Sequence, residues 1–261
     1  MYLRFLLIIT LIFTLSPLVA AVQEKTVEYS VDGIVHEGFM AYDDAVTGKR
    51  PGILVVHEWK GISDHVRESC RKLAELGYLA FAADIYGKGV RPETSAEAAK
   101  LSGSYKKDRP GLRGKVIAGL EEMKKQELVA ADKTAAIGYC FGGTTVLELA
   151  RSGAAVAGVV SFHGGLDSPT PEDAKNIRAK VLVLHGAIDP HVPDSEVAAF
   201  IKEMRDAKVD WQLVHYGDAV HSFTSKAAGN DPGQGSAYHE LTANRSWKAM
   251  KSFFKELFAK Q

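Results

Sequence analysis

Apolar runs alternate with amphipathic segments along most of the chain. Five near-continuous apolar runs are typical of strands that are buried on both faces of a parallel sheet: GILVVH, YLAFAAD, AAIGYC, AGVVSFH and KVLVLHG. The helical patterns between them predict helices over 64–76, 95–126 (in two pieces broken at Pro110), 142–152, 194–207 and 238–259. This alternation predicts an α/β protein with about eight mostly parallel strands, right-handed crossovers and helices on both faces of the sheet.

Both ends of the pattern add strands. The segments KTVEYSVDG and IVHEGFMAY alternate apolar and polar residues on either side of Asp32-Gly33, which predicts a β-hairpin. The segment DWQLVHY predicts the last strand. An antiparallel hairpin at the start of the chain fits one edge of a parallel sheet.

The first residues have the layout of a secretory signal peptide. Arg4 precedes an apolar run that contains Pro17 and ends in small residues at Ala20 and Ala21. We expect residues 1–21 to be removed and residues 22–261 to form a single domain, exported to the bacterial periplasm. The alternative is a retained membrane anchor, although the apolar stretch is shorter than the roughly 20 residues that span a bilayer. No cysteine lies near the expected cleavage site, so we expect no lipid anchor.

Charge and cysteine content exclude several classes of protein. The chain has 32 basic and 32 acidic residues, and losing Arg4 with the signal would leave a net charge of −1. Such a chain has no electrostatic attraction for nucleic acid or anionic lipid, so we expect a small-molecule partner. Two cysteines are too few for a disulfide framework. Cys70 shares a helical stripe with Val66 and Leu73, which predicts a buried apolar role.

Cys140 lies where a strand should become a helix. In an open α/β sheet, sites form beyond the carboxyl ends of the strands. Gly138 and Gly142 flank Cys140 in the pattern G-x-C-x-G, which is the nucleophile elbow with sulfur in place of oxygen. The helix N-terminus that follows would favour a thiolate and a developing oxyanion. The alternative is an ordinary glycine-rich turn with a buried cysteine.

Two further strand ends supply partners for this cysteine. Asp189 follows the strand KVLVLHG, and His221 follows the last strand. The order nucleophile, acid, histidine is that of α/β-hydrolases, in which the base takes the proton and the carboxylate orients the base. Asp167 is the competing candidate for the acid. The other nearby histidines, His185 and His215, are expected to be structural.

No cofactor or metal is expected. The segment HEWKG begins like the zinc-protease motif H-E-x-x-H, but Gly61 occupies the second histidine position. Neither a phosphate-binding P-loop nor a dinucleotide-binding glycine motif is present in the sequence.

The sequence resembles the dienelactone hydrolase family of α/β-hydrolases over nearly all of residues 22–261. Five motifs in the family's order carry the resemblance: VVHEWKG, ADIYG, GYCFGG, HGAIDPHVP and AVHSF. The resemblance implies that the family's nucleophile, acid and base fall on Cys140, Asp189 and His221, and its additional glutamate on Glu58. It also implies that the backbone N–H groups of Phe141 and Trp59 stabilise the oxyanion.

The resemblance further implies a role for Glu58 in protecting the thiol. A carboxylate beside a thiol makes the thiolate more costly to form, and the thiolate is the readily oxidised species. We therefore hypothesise that Glu58 keeps Cys140 neutral until substrate displaces the glutamate. The alternative is a solvent-facing glutamate at a strand end.

One departure from the family concerns the substrate. Members acting on dienelactone are expected to hold its carboxylate with arginines, one of them shortly after His-Ser-Phe, where this chain has Lys226 and no arginine. Arg91 or Lys226 are the candidate replacements, and Tyr86 and Phe223 are candidates for an apolar pocket. We expect an exported cysteine hydrolase of a carboxylic ester or lactone. The alternatives are a general carboxylesterase, a thioesterase, or a binding protein on an inactive hydrolase scaffold.

Overall fold

The computed structural model describes residues 21–259. The predicted signal peptide therefore lies outside the described residues, apart from Ala21. Within 21–259, no helix combines the length and the apolar character needed to cross a membrane.

The described residues form an eight-stranded sheet in the order β1-β2-β4-β3-β5-β6-β7-β8. Strands β3 to β8 run parallel, and the hairpin of β1 and β2 pairs antiparallel with β4 at one edge. This confirms the predicted fold class. The strands are β1 (Val22–Val31), β2 (Ile34–Asp43), β3 (Arg50–Val56), β4 (Leu79–Ala83), β5 (Val129–Tyr139), β6 (Gly158–Phe162), β7 (Lys180–Gly186) and β8 (Trp211–Tyr216).

Six α-helices cover the two faces of the sheet. They are α1 (Asp64–Glu75), α2 (Ser95–Lys107), α3 (Arg109–Lys124), α4 (Phe141–Arg151), α5 (Asp194–Asp206) and α6 (Glu240–Leu257). Helices α1 and α6 pack on one face, and α3, α4 and α5 on the other. Successive residues of β3 alternate between these cores: Ile53 faces the α1 side and Leu54 the α3 side. Both residues are fully buried, which explains the continuous apolar run.

The break between α2 and α3 falls at Asp108, two residues before the predicted break at Pro110. Proline is accommodated in the first turn of a helix, where its missing N–H has no intrahelical acceptor. Asp108 caps α3 by accepting a hydrogen bond from the N–H of Gly111. Pro110 therefore begins the second helix instead of ending the first.

The sheet topology brings the candidate residues to one edge. Glu58 follows β3, Cys140 follows β5, Asp189 follows β7 and His221 follows β8. These four strands are parallel, so their carboxyl ends lie at the same edge of the sheet.

Candidate active site

Cys140 occupies a strained turn between β5 and α4. Its backbone has φ 54° and ψ −114°, a conformation that residues with a side chain rarely adopt. A Cβ on Gly138 would lie 2.0 Å from the carbonyl oxygen of Gly142, and a Cβ on Gly142 would lie 2.2 Å from that of Val56. The turn therefore requires glycine at both positions, and it leaves the cysteine side chain partly exposed.

His221 and Asp189 form a buried hydrogen-bonded pair. Nδ1 of His221 lies 2.7 Å from Oδ2 of Asp189, and the other carboxylate oxygen accepts the backbone N–H of His191 at 2.8 Å. Both oxygens are thus engaged, which fixes the carboxylate and directs Nδ1–H of His221 toward it. The opposite ring nitrogen of His221 is left for Cys140, which lines the same cleft as His221.

The charges around His221 favour its protonated form. Burial alone would lower the pKa of this imidazole, but the negative charge of a Cys140 thiolate and the hydrogen bond to Asp189 together raise the pKa to about 10. The arrangement can therefore stabilise an imidazolium beside a thiolate, which is the reactive form of a cysteine nucleophile.

His163 is a buried histidine that the sequence analysis did not identify as part of the site. The backbone N–H of Cys140 donates both to the Phe162 carbonyl oxygen at 3.0 Å and to Nδ1 of His163 at 3.2 Å. Nε2 of His163 lies 2.7 Å from the Thr224 hydroxyl. Because a backbone N–H can only donate, Nδ1 carries no proton and Nε2–H donates to Thr224. Burial keeps the pKa of His163 well below its usual value, so the ring stays neutral. The one signal in the sequence that could have identified His163 as part of the site is its position directly after β6.

The backbone N–H groups of Trp59 and Phe141 lie on neighbouring segments. The start of α4 packs directly against the end of β3, where a Cβ on Gly142 would also lie 2.7 Å from the carbonyl oxygen of His57. Among the backbone hydrogen bonds of loops, turns and helix caps within residues 21–259, none has the N–H of Trp59 or Phe141 as its donor. Both donors are available to an anionic oxygen.

Glu58 shares the cleft with Cys140, but the charged group nearest to its carboxylate is a histidine. Oε2 of Glu58 lies 3.4 Å from Nδ1 of His65 on α1, and the Glu58 side chain is 14% exposed. The ring of His65 in turn packs edge-on against Tyr139, with ring centroids 4.6 Å apart. His65 was not identified from the sequence, because its helical position gives no sign that it faces Glu58.

A cleft of about 770 Å³ opens above these groups, within the range of small-molecule sites. Its walls come from the strand ends, from α2 and from the segment after His221. The lining includes Glu58, Trp59, His65, Cys140, Phe141, His191 and His221, with Ser95, Ala99, Ser102, Gly103 and Lys106 from α2. A smaller cavity of about 450 Å³ lies beside α5 and contains none of the candidate residues.

The four predicted substrate-binding residues all lie outside the cleft lining. Arg91 lies 3.4 Å from the buried carboxylate of Asp84 and donates to the Val90 carbonyl oxygen at 2.7 Å. Phe223 is fully buried, Tyr86 donates its hydroxyl to the carbonyl oxygen of Trp59, and Lys226 lies over the ring of Tyr238. Each of these side chains makes a contact within the protein, and the substrate-binding role of all four stays a prediction.

Lys106 is one of two lysines, with Lys60, that line the cleft. It lies on α2, with its ammonium nitrogen 3.3 Å from the position that a Cβ on Gly165 would take. Within the described chain no carboxylate lies within 4.0 Å of this ammonium. Lys106 was not identified from the sequence as a candidate for binding the substrate.

The remaining alternatives for the acid and for a metal have little geometric support. Asp167 lies against Arg109 and is not hydrogen-bonded to His221. His185 is buried, and its ring packs edge-on against that of His215, 5.2 Å away. Among residues 21–259, no three histidine, cysteine or acidic side chains are arranged to hold a metal ion.

Comparisons with known proteins point to one family. A family model described as the dienelactone hydrolase family matches residues 36–258. The solved structure named m3DLH is 43% identical with a TM-score of 0.88, and the match covers 92% of this chain and 100% of that one. A dienelactone hydrolase-like promiscuous phosphotriesterase from metagenomic libraries is 41% identical with a TM-score of 0.86, at the same coverage.

A curated relative is similar over most of both chains. A Salmonella typhimurium protein named "Putative carboxymethylenebutenolidase" is 29% identical over 234 residues, which is 85% of this chain and 83% of that protein.

Proposed function

The chain belongs to the dienelactone hydrolase family, and we propose that it cleaves a carboxylic ester or lactone by covalent catalysis at Cys140. The observation that carries this proposal is the linked series of Asp189, His221 and Cys140. The carboxylate lies 2.7 Å from the imidazole, and the imidazole lines one cleft together with the cysteine at the strained turn.

In the first half-reaction the Cys140 thiolate attacks the substrate carbonyl carbon. A carbon–sulfur bond forms, and the carbonyl electron pair moves to the oxygen. The N–H groups of Trp59 and Phe141 stabilise this oxyanion, and in comparable sites such a donor contributes about 3–4 kcal/mol. The intermediate collapses to a thioester, and His221 delivers its proton to the departing alkoxide.

In the second half-reaction His221 takes a proton from water, and the resulting hydroxide attacks the thioester. The carbon–sulfur bond breaks and releases the carboxylic acid and the thiolate, and the imidazolium is restored beside it. One water is consumed for each ester bond, and a lactone opens to a hydroxy acid. Asp189 stabilises the imidazolium at both stages.

Hydrolysis of a small aryl ester and of a five-membered enol-lactone tests this proposal. We expect turnover by the wild type and loss of turnover by Cys140→Ala. Cys70→Ala is the matched control, because Cys70 is buried in α1 away from the cleft, and it should retain turnover. Turnover that survives Cys140→Ala would contradict the proposed nucleophile. Turnover of the aryl ester alone would favour a general esterase, and no turnover by the folded wild type would favour a binding protein.

A second candidate substrate class is a phosphotriester. The relative described as a promiscuous phosphotriesterase is 41% identical over almost the whole chain. Incubation with a diethyl aryl phosphate, followed by mass spectrometry, should then find a diethylphosphoryl group on Cys140. An unmodified Cys140 with no release of the aryl alcohol would exclude this activity.

Export is a separate part of the proposal. Residues 1–21 would direct the chain across the inner membrane and leave Val22 as the new N-terminus. The intact mass of protein from the periplasmic fraction tests this, and an N-terminus at Val22 is the expected result. A full-length chain recovered from the membrane fraction would support the alternative of a retained anchor.

A further inference from the structure

We infer that His57 is a positioning residue that orients the Trp59 N–H toward the substrate oxyanion, with Tyr86 as its partner that holds the next peptide of the loop. This inference rests on the proposed function, because it concerns the same oxyanion. His57 had no role assigned from the sequence, and Tyr86 was predicted to line the substrate pocket.

The His57 ring joins the ends of two strands. Its side chain is fully buried. The Nδ1 atom lies 2.6 Å from the carbonyl oxygen of Glu58, and Nε2 accepts the backbone N–H of Ile85 at 3.1 Å. Because the Ile85 N–H can only donate, Nε2 is unprotonated, and the proton of the neutral ring is on Nδ1. His57 therefore donates to the carbonyl group of the peptide that links Glu58 to Trp59.

The geometry of that peptide passes this restraint on to Trp59. In a trans peptide the C=O and N–H groups lie in one plane and point in opposite directions. When His57 holds the Glu58 carbonyl oxygen, the Trp59 N–H must point away from the His57 ring. The Gly61 N–H, which donates to the same carbonyl at 3.2 Å, adds to the restraint.

Tyr86 holds the next peptide of the same loop. Its hydroxyl donates to the carbonyl oxygen of Trp59 at 3.0 Å. The ring of Tyr86 packs edge-on against that of His57, with centroids 4.7 Å apart, and Phe141 lies 5.9 Å from His57 on a second side. The two peptides on either side of Trp59 are thus restrained by neighbouring side chains. One of those neighbours, Phe141, carries the other proposed oxyanion donor.

The His57 ring keeps this hydrogen-bonding pattern across the working pH range. Burial lowers its pKa to about 4 against the opposing contributions of the Glu58 carbonyl and the Asp84 carboxylate. A neutral ring has one donor and one acceptor, which are the two groups that the Glu58 carbonyl and the Ile85 N–H require. Preorganised donors of this kind need no reorganisation when charge develops on the substrate.

A purely structural histidine linking β3 and β4 would hold the fold without affecting the oxyanion specifically. Two reactions of Cys140 separate these roles. Alkylation by iodoacetamide needs the thiolate and no oxyanion site. Addition to an aryl trifluoromethyl ketone creates an oxyanion, because the new carbon–sulfur bond moves the carbonyl electron pair to oxygen.

The experiment measures ester turnover, ketone inhibition and iodoacetamide alkylation for His57→Leu, His57→Gln and Tyr86→Phe. His57→Leu should lower kcat about 10²–10³-fold and weaken the ketone by a similar factor, as for the loss of one oxyanion donor. Its alkylation rate should stay within about twofold of the wild type. His57→Gln should recover part of the loss, since an amide can donate to the Glu58 carbonyl and accept from Ile85.

Tyr86→Phe keeps the ring and removes a single hydrogen bond, so it provides the test if His57→Leu does not fold. We expect weaker ketone binding with unchanged alkylation. Tyr29→Phe is the matched control, because its buried hydroxyl donates to the Asp84 carbonyl and lies outside the cleft lining. This control should leave all three measurements unchanged.

Equal losses of ketone binding and alkylation in the variants would overturn the inference, as would ketone binding at the wild-type level. Failure of the proposed function is recognised separately, as the absence of Cys140-dependent turnover in the wild type. Because the ketone adduct forms at Cys140 without turnover, its affinity still decides the role of His57 in that case.

Discussion

The imidazole of His163 accepts the backbone N–H of Cys140 over 3.2 Å. Its other ring nitrogen donates to the Thr224 hydroxyl, 2.7 Å away, on the segment that begins with His221. One buried ring therefore connects the backbone of the nucleophile to the segment that carries the base. This contact holds together two strand ends that are separated in the sheet by β6 and β7.

Replacing the acceptor on that segment should weaken this connection. Thr224→Val keeps the shape of the side chain but leaves the buried Nε2–H of His163 without an acceptor, which costs about 1–3 kcal/mol. We expect a lower free energy of unfolding by that amount and a lower kcat. Thr170→Val removes an exposed hydroxyl contact with Asp173 and should change stability by less than about 0.5 kcal/mol. Equal stability of the two variants in urea would contradict the role of His163.

Removing the charge of Glu58 should make Cys140 more reactive. A repulsion of about 1 kcal/mol between carboxylate and thiolate corresponds to about fivefold faster alkylation of Cys140 in Glu58→Gln at neutral pH. Stopped-flow measurement with iodoacetamide checks this. Glu68→Gln is the control, because Glu68 lies on the exposed side of α1. Alkylation at the wild-type rate in Glu58→Gln would rule out gating and leave Glu58 as the partner of His65.

Removing the thiolate should lower the pKa of His221. A Cys140 thiolate and the Asp189 hydrogen bond raise this pKa to about 10 against the opposing effect of burial. Cys140→Ala leaves burial in place and removes one of the two opposing contributions, so the imidazolium loses its proton at a lower pH. Titration of the imidazole by NMR measures the shift, with Cys70→Ala as the control. An unchanged midpoint in Cys140→Ala would show that Asp189 alone sets the charge.

Lys106 should select esters that carry an anionic group. Charge-assisted hydrogen bonds are worth about 1.5–3 kcal/mol, so Lys106→Met should lower kcat/KM for a carboxylate-bearing aryl ester by at least about tenfold. The value for the uncharged ester should change by less than about twofold. Lys107→Met is the control, since this exposed neighbour lies outside the cleft lining. Equal losses for both esters would exclude a charge-specific role.

A buried ion-pair network is a point of vulnerability in the fold. Arg151 is fully buried and contacts Glu148 at 2.9 Å and Glu203 at 2.8 Å. Arg151→Met leaves two buried carboxylates without this partner and should lower the free energy of unfolding by about 3–5 kcal/mol. Lys202→Met removes a solvent-exposed pair with Asp206 and should cost less than about 1 kcal/mol. Chemical denaturation compares them, and similar losses would contradict the special role of the buried network.

Much of the fold could be predicted from the sequence because its signals are local. The turn at Asp32-Gly33 and the continuous apolar strands reflect turn geometry and burial on two faces, both of which short segments encode. The pairing of β3 with β5 and β4, which differs from the chain order, was not predicted. It arises from packing between distant segments, for which the periodicity of one strand contains no information.

The sequence by itself determined which residues end the strands. Because parallel strands have their carboxyl ends at one edge, the segments that carry Cys140, Asp189 and His221 lie at the same edge of the sheet. The glycine pattern around Cys140 is equally local, since the crowding at Gly142 admits no side chain.

Only the tertiary structure decided which side chains reach the cleft and which support it. Arg91 and Lys106 are both cationic residues in the segment between β4 and the end of α2. The buried carboxylate of Asp84 holds Arg91, whereas Lys106 faces the cleft without such a partner. His57 likewise acquires its orientation from Ile85, which belongs to a different strand end. The physical reason is that a charge or a ring nitrogen takes its role from partners that only packing brings within hydrogen-bond distance.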